Sequence, residues 1–211
     1  ANRLAPNTHW QLTQQGVALT DQDKANLAKG ILDTIKLPTY APLVMLVGHG
    51  SHTSNNLHAA GLECGACGGQ SGEVNVRVLA SLLNDDKVRA LLNDMGMKIP
   101  SDTQFVPALH NTTTDQLTCF DTTEGSKDLD SKMTSWFENA QFFAQQERAA
   151  KLDTSLLDAS DKQRSKAFTK RANDWSQVNP EWGLANNHSF IIAPRQQTRH
   201  LDLQGRSFLH D

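Results

Sequence analysis

Apolar residues recur at helical spacing in several parts of this chain. Between residues 21 and 36 they follow Thr20, a typical N-cap residue, and they stop before Pro38, which predicts a surface helix over about 21–36. The same spacing predicts a helix over 73–84, a helix over 85–95, a long amphipathic helix around 133–144 and a charged helix over 154–172. In the long helix we expect the aromatic face formed by Trp136, Phe137 and Phe143 to pack in the core.

Short uninterrupted apolar runs lie between these helices and predict strands. Residues 43–47 are apolar throughout and end at Gly48, which is typical of a strand buried on both faces of a parallel sheet. Further strands are predicted over 105–109, 116–120 and 189–193. Because strands alternate with helices, we expect an α/β layered domain with a mostly parallel sheet flanked by helices. No linker or internal repeat divides the chain, so residues 1–211 are predicted to form a single α/β domain.

Composition narrows the class of protein. The chain has 211 residues, of which 38% are hydrophobic and 20% charged, as is ordinary for a globular protein. Its net charge of −3 comes from interspersed charges without a basic stripe, so nucleic acid is not expected as a partner. The longest strongly apolar run, residues 41–47, is far shorter than the roughly 20 residues that span a bilayer. Three cysteines suit a reducing compartment, and an N-terminal Ala in place of Met suggests a segment of a longer protein.

Two kinds of metal ligand lie close together in the sequence. His49 follows the predicted strand over 43–47, and two of the three cysteines, Cys64 and Cys67, lie in the Gly-rich loop that comes next. Zinc is held in a tetrahedral arrangement by imidazole nitrogen and thiolate sulfur, often from separate loops. The glycines allow the backbone to approach a ligand closely. His49 and Cys64 would supply two of four ligands, so the stretch predicts half of a zinc site.

A second histidine is expected in the same crevice. In open α/β sheets, ligands bind beyond the carboxyl ends of the strands, where loops from neighbouring strands converge. His49 follows one predicted strand, and His110 and Asn111 follow the strand predicted over 105–109. We therefore expect His110 and Asn111 to line the pocket that His49 faces.

Other interpretations of the Gly-rich loop stay open at this point. Cys64 and Cys67 have the spacing of a redox pair. The loop also precedes a helix, where backbone N–H groups bind anions, although neither nucleotide-binding glycine motif is present. Gly48-His49-Gly50-Ser51 suggests an esterase, but the chain has no Gly-x-Ser-x-Gly elbow. Cys119 is interpreted as a small buried hydrophobic residue.

A set of motifs in a fixed order gives the chain a family resemblance. It is similar to the probable inorganic carbon transporter subunit DabA family over about the whole chain from His49 onward. The motifs are Gly48-His49-Gly50-Ser51, Glu63-Cys64-Gly65-Ala66-Cys67-Gly68-Gly69, Asn75 with Arg77-Val78-Leu79, Ala108-Leu109-His110-Asn111-Thr112, Arg171-Ala172 with Asp174-Trp175-Ser176, Pro180-Glu181-Trp182-Gly183-Leu184-Ala185, Ala193-Pro194-Arg195 and Gly205-Arg206-Ser207-Phe208-Leu209-His210.

The resemblance implies a β-carbonic-anhydrase-like fold with a zinc centre. Its ligands would be a Cys and an Asp from one Cys-x-Asp motif, together with a His and a second Cys. His49 matches the histidine and Cys64 the second cysteine. One Cys-x-Asp sequence occurs in this chain, Cys119-Phe120-Asp121, but its segment is unlike the family motif. The other half of the site is therefore expected upstream. Cys67 would be a thiol beside the metal, a substitute ligand or a packing residue.

The resemblance also implies a function in inorganic carbon accumulation. The intact subunit would be a zinc-dependent carbonic-anhydrase-like protein that converts carbon dioxide to bicarbonate. It would work with a proton-channel-like membrane subunit, as a peripheral protein on the cytoplasmic face of the bacterial inner membrane. This segment alone, without the Cys-x-Asp half, would be inactive. The alternative is a structural or docking module of a larger subunit that has no catalytic role of its own.

Overall fold

The structure, a computed structural model, describes residues 10–56, 70–120, 127–176, 189–204 and 207–210. Strands and helices alternate along the chain, so the predicted α/β class is confirmed. The strands are β1 (Thr13–Gln14), β2 (Val17–Ala18), β3 (Leu43–Gly50), β4 (Gln104–Asn111), β5 (Gln116–Cys119), β6 (Ser189–Ile192) and β7 (Ser207–His210). The helices are α1 (Asp21–Ile35), α2 (Glu73–Leu83), α3 (Asp86–Asp94), α4 (Lys127–Leu152), α5 (Asp161–Asn173) and α6 (Arg195–Thr198), with a 3-10 turn over Thr154–Leu156.

The strands of the described residues form three small sheets. One has the order β3-β4-β5, with β4 parallel to β3 and antiparallel to β5. The others are the antiparallel pair β1-β2 and the parallel pair β6-β7. The prediction of one mostly parallel sheet therefore differs from what these residues form, because local sequence patterns do not determine which strands pair or in which direction.

The first helix begins and ends where its sequence predicts. The Thr20 hydroxyl accepts a hydrogen bond from the Asp23 N–H, and the Asp23 carboxylate accepts one from the Thr20 N–H, which is a capping box. Hydrogen bonds from the Thr20 hydroxyl and N–H hold the pKa of the Asp23 carboxyl below its usual value. At the other end, Lys36 takes a left-handed conformation and donates its N–H to the Leu32 carbonyl.

One core lies between β3-β4 and the first three helices. Side chains from α1, α2 and α3 pack against Leu46 of β3 and Phe105 of β4. The buried members are Ala25, Ala28, Leu32, Leu46, Ala80, Leu83, Val88, Leu92 and Phe105. Helices α4 and α5 pack against each other, and α4 also reaches β5. The α1–α3 core holds the carboxyl ends of β3 and β4 in place.

Two expectations about burial are wrong. The strand over 43–47 is not buried on both faces, since Met45 and Val47 are 37% and 49% exposed. The aromatic face of α4 is not core, since Trp136 and Phe143 are 58% and 70% exposed. Hydrophobic spacing identifies an apolar face but not what covers it.

The predicted helix over 154–172 is split in two. Asp153 accepts a hydrogen bond from the Ser155 N–H and caps the short 3-10 turn. Ser160 and Gln163 then form a capping box that starts α5. An N-cap residue has a non-helical backbone conformation, so a continuous helix cannot run through Ser160.

Candidate functional site

His49 and His110 are direct partners on neighbouring strands. The register of the parallel pair β3-β4 places His49 opposite His110 and Gly50 opposite Asn111. Neighbouring strands lie about 5 Å apart, and aligned positions project from the same face. The two histidines therefore leave the sheet side by side at the carboxyl ends of β3 and β4, as the sequence predicts. His49 is exposed, and its imidazole makes no hydrogen bond to any residue that the structure describes.

The start of helix α2 lies directly against this strand end. The Gly72 N–H, at the N-cap of α2, donates a 2.7 Å hydrogen bond to the His49 carbonyl. A Cβ at Gly48 would lie only 2.8 Å from the Gly72 carbonyl oxygen. The contact is thus made backbone to backbone, which only glycine permits at this distance. It brings the positive end of the α2 dipole beside His49.

We expect Gly48→Ala to destabilise the protein by about 2 kcal/mol, because the added methyl group must push the start of α2 away from β3. Urea unfolding would measure the loss. Gly30→Ala is a suitable control, since a Cβ there meets nothing within 4 Å and alanine favours a helix. An unchanged urea midpoint in Gly48→Ala would show that the two backbones can separate without cost.

A buried carboxylate lies beside His110. Asp115 is 5% exposed, and one of its carboxylate oxygens lies 3.4 Å from His110 Nε2. The other accepts a 2.6 Å charge-assisted hydrogen bond from Arg148 Nη1, on α4. The same Arg148 nitrogen also donates to the Thr112 carbonyl at 3.0 Å. Asp115 and Arg148 together restrain the turn after β4 and one side of His110.

Asn111 is occupied within its own turn. Its side-chain oxygen accepts a 3.1 Å hydrogen bond from the Thr113 N–H, and its carbonyl accepts one from the Asp115 N–H at 2.7 Å. Asn111 thus shapes the turn between β4 and β5, and its predicted part in lining the pocket stays a prediction.

The segment that leaves β3 crosses to the end of α5. The Ser54 N–H donates to the Ala172 carbonyl at 2.8 Å, and Asn55 Nδ2 donates to the Trp175 carbonyl at 2.8 Å. Motifs far apart in the sequence, near residues 50, 110 and 172, therefore meet at one place. Buried atoms of this segment that have no hydrogen-bond partner among the described residues are Thr53 Oγ1, Asn55 Oδ1 and both side-chain polar atoms of Asn56.

The thiols of the predicted zinc half-site cannot be placed. Cys64 and Cys67 lie outside the described residues. Cys119 is a partly buried residue on β5, opposite Ala108 of β4. Within the part of the chain that the structure describes, no group of three His, Cys, Asp or Glu side chains is arranged to hold a metal ion. The predicted ligand pair therefore stays a prediction.

Sequence reasoning missed Asp115 and Arg148. They are 33 residues apart and belong to a turn and a separate helix, so no local pattern links them. The only local signal is Thr112-Thr113-Thr114-Asp115 between two predicted strands, which is typical of a turn. Asp115 does take a positive φ of 58° there.

A cavity of about 570 Å³ lies away from the two histidines. It is formed by the C-terminal end of α1 and by the connection from β6 to α6, and it includes Ile35, Ile192 and Arg199. Its lining residues do not include those at the carboxyl ends of β3 and β4. Among the described helices, none is both long enough and apolar enough to cross a membrane.

Comparison with known proteins assigns the chain to a class of transporter subunits. A family model described as "Probable inorganic carbon transporter subunit DabA" matches residues 1–211. The chain belongs to the DabA family, as the sequence motifs suggested.

Individual relatives agree with the family match. The chain is 89% identical over its whole length to a probable inorganic carbon transporter subunit DabA of Marinomonas sp. (strain MWYL1), and covers 26% of that protein. It is 51% identical over its whole length to the DabA subunit of Hydrogenovibrio crunogenus, and covers 25% of it. It is 46% identical to the DabA subunit of Vibrio cholerae serotype O1, in a match that covers 89% of this chain and 23% of that relative. The chain thus spans about a quarter of the length of these relatives. No solved structure matches it.

Proposed function

We propose that this chain contributes two metal ligands to a zinc centre of an inorganic carbon transporter subunit, and that the intact subunit hydrates carbon dioxide to bicarbonate. The observation that carries the proposal is His49, at the end of a strand, with its imidazole unbonded to the described residues and His110 beside it. The names of the relatives support a function in inorganic carbon uptake.

The residues at this strand end fit a zinc ion in their chemistry. A neutral imidazole is a preferred zinc ligand, and the exposed His49 can offer a nitrogen without breaking a hydrogen bond to any described residue. Cys64 would supply a thiolate from the loop that follows. A bound zinc ion supplies water activated near neutral pH. The Cys-x-Asp half would come from another part of the subunit, in a β-carbonic-anhydrase-like arrangement.

The described residues would shape the pocket around the metal. His110 would form its wall, held on one side by the Asp115 carboxylate at 3.4 Å. The N-terminus of the 11-residue helix α2 would favour an anionic product such as bicarbonate. The buried polar atoms of Thr53, Asn55 and Asn56 that have no hydrogen-bond partner among the described residues would bind ordered water or a small polar ligand, since leaving each unpaired costs about 1–3 kcal/mol.

The proposed partner is a proton-channel-like membrane subunit, at the cytoplasmic face of the inner membrane. Hydration alone reaches equilibrium, so accumulation of bicarbonate needs an energy source. An ion gradient acting through the membrane subunit would make the reaction effectively one-way.

Substitution of Cys64 tests the zinc centre directly. In a full-length subunit carrying this sequence, we expect Cys64→Ser to lower bound zinc and inorganic carbon uptake by at least ~10-fold, because a neutral hydroxyl is a poor zinc ligand at neutral pH. Metal analysis of the purified subunit and uptake of labelled bicarbonate by cells would measure both. Cys119→Ser is the matched control, since it also removes one thiol and we expect it to keep its zinc. Full zinc content in Cys64→Ser would contradict the proposal.

The second candidate function is a docking module without a catalytic role. Its support is the exposed aromatic face of α4, where Trp136 and Phe143 are largely solvent-exposed, because large exposed apolar patches typically mark interaction sites. Under this alternative, Cys64→Ser leaves carbon uptake intact, whereas Trp136→Ser combined with Phe143→Ser abolishes it. The two functions are therefore distinguished by which of these variants loses uptake.

A further inference from the structure

The outer edge of strand β3 has the features of an interior strand of a larger sheet. We propose that β3 pairs along this edge with another β-strand from the part of the family subunit outside these 211 residues. The proposal depends on family membership and on the backbone of β3, and it is independent of the zinc centre.

Half of the backbone groups of β3 point away from β4. Gln104 donates its N–H to the Pro42 carbonyl and Thr112 donates to the Gly50 carbonyl, both at 2.8 Å. In a parallel ladder, alternate residues direct both backbone groups to the same neighbour, so the even-numbered residues of β3 face β4. Leu43, Met45 and Val47 consequently face outward. Their outward groups form no backbone hydrogen bond with any residue that the structure describes.

Among the described residues, the backbone hydrogen bond that covers this edge is at its last position. The His49 carbonyl, at the end of the strand, accepts the Gly72 N–H. The rest of the edge is open in the described structure, although the strand is eight residues long. An open edge of this length is a template for pairing with another strand.

The sequence of β3 has none of the devices that protect a free edge. Exposed edges are normally blunted by charged residues, by bulges or by very short strands. Residues 43–50 contain no Asp, Glu, Lys or Arg, and their register with β4 is continuous over all eight positions. Met45 and Val47 are instead 37% and 49% exposed. Parallel sheets normally have both faces covered by other elements, and Met45 and Val47 lie on the face of β3 opposite the buried Leu46.

The occupant that the observations favour is another part of the same subunit. The chain spans only 25–26% of the Marinomonas and Hydrogenovibrio relatives, so three-quarters of such a subunit is available to supply a strand. Pairing within one polypeptide also costs less entropy than recruiting a second molecule. A second copy of this chain, joined edge to edge, is the competing occupant.

Hydrogen exchange on a full-length subunit carrying this sequence tests the proposal. We expect the outward amides of Met45 and Val47 to be protected to within ~10-fold of the inward amides of Val44 and Leu46, because both sets would be bonded in a sheet. Fragmentation mass spectrometry that resolves single amides would measure them. Outward amides that exchange at least ~100-fold faster than the inward ones would overturn the proposal.

A pair of matched lysine variants gives an independent measurement. Val47→Lys places a charge on the strand that forms this edge, and Val17→Lys places one on β2, where Val17 is 71% exposed. In the full-length subunit we expect Val47→Lys to lower the melting temperature by roughly 5 °C, and Val17→Lys by less than about 1 °C. Equal effects would overturn the proposal. A second result would also overturn it: the outward amides of the wild type are protected only in a concentration-dependent dimer, and Val47→Lys dissociates that dimer. This result would identify a second copy of the chain as the occupant.

Discussion

His49→Ala should remove zinc from the full-length subunit and abolish inorganic carbon uptake. The substitution deletes one of the proposed ligands, and loss of a single ligand from a four-coordinate site lowers metal affinity by at least ~100-fold. We expect near-stoichiometric zinc in the wild type and less than about a tenth of it in the variant. Metal analysis of the purified subunit and uptake of labelled bicarbonate would measure the two effects.

The structure gives this variant a clear interpretation. His49 is exposed, and its imidazole bonds to no described residue, so its removal should leave the fold intact and the melting temperature of the zinc-free protein unchanged. His200→Ala is the matched control, because His200 is also exposed and, among the described residues, its hydrogen bond is a local one from the neighbouring Arg199. Should His49→Ala retain its zinc, His49 is not a ligand. Should it lose zinc but keep full uptake, the metal is not catalytic.

The helices of the α1–α3 core could be predicted from the sequence because their signals are local. Thr20 caps α1 and Asp85 caps α3, and each cap lies within three residues of the groups it satisfies. Gly96, with a φ of 83°, follows the end of α3 where the sequence predicts it. The placement of His49 and His110 at strand ends follows from equally local patterns.

The remaining features depend on contacts between distant segments. The sequence shows that β3 is apolar, but its partner strands and their directions are set by tertiary packing. The β1–β2 hairpin was not predicted, since strands of two residues show no periodicity. Its turn is formed by Gln15 and Gly16, both with positive φ, which is the geometry of a tight hairpin.

The candidate site, like the fold, combines features that local patterns predict with features that depend on contacts between distant segments. His49 and His110 follow from local patterns, whereas the Asp115–Arg148 pair joins two segments that only the fold brings together. The register that aligns His49 with His110 is a property of the pairing between β3 and β4. Sequence reasoning therefore identifies candidate ligands but not the groups that hold them in position.

The buried charge of Arg77 leads to the second large prediction. Arg77 is 1% exposed on α2, between the rings of Trp10 and Phe120, whose centroids lie 5.6 and 5.5 Å from its guanidinium carbon. Its Nη1 donates a 3.0 Å hydrogen bond to Glu73, one turn earlier on the helix. The Glu73 side chain is itself only 12% exposed. The pair is thus an ion pair within the protein rather than on its surface.

We expect Glu73→Ala to destabilise the protein by about 3 kcal/mol, because it removes a largely buried carboxylate that is hydrogen-bonded to the buried Arg77 guanidinium. The free energy of unfolding, measured by urea titration, would show the loss. Asp33→Ala is the matched control: the Lys29–Asp33 pair has the same spacing on α1, but its side chains are 34% and 54% exposed, so we expect a change within about 0.5 kcal/mol.

A double variant shows whether the loss of stability comes from the buried charge of Arg77 or from the packing of its side chain. If the loss in Glu73→Ala comes from removing this carboxylate from the buried guanidinium, adding Arg77→Met should recover about half or more of the stability, since replacing a buried ion pair with apolar residues is often neutral. If the double variant is less stable than Glu73→Ala, packing of Arg77 between the two aromatic rings outweighs the cost of its buried charge.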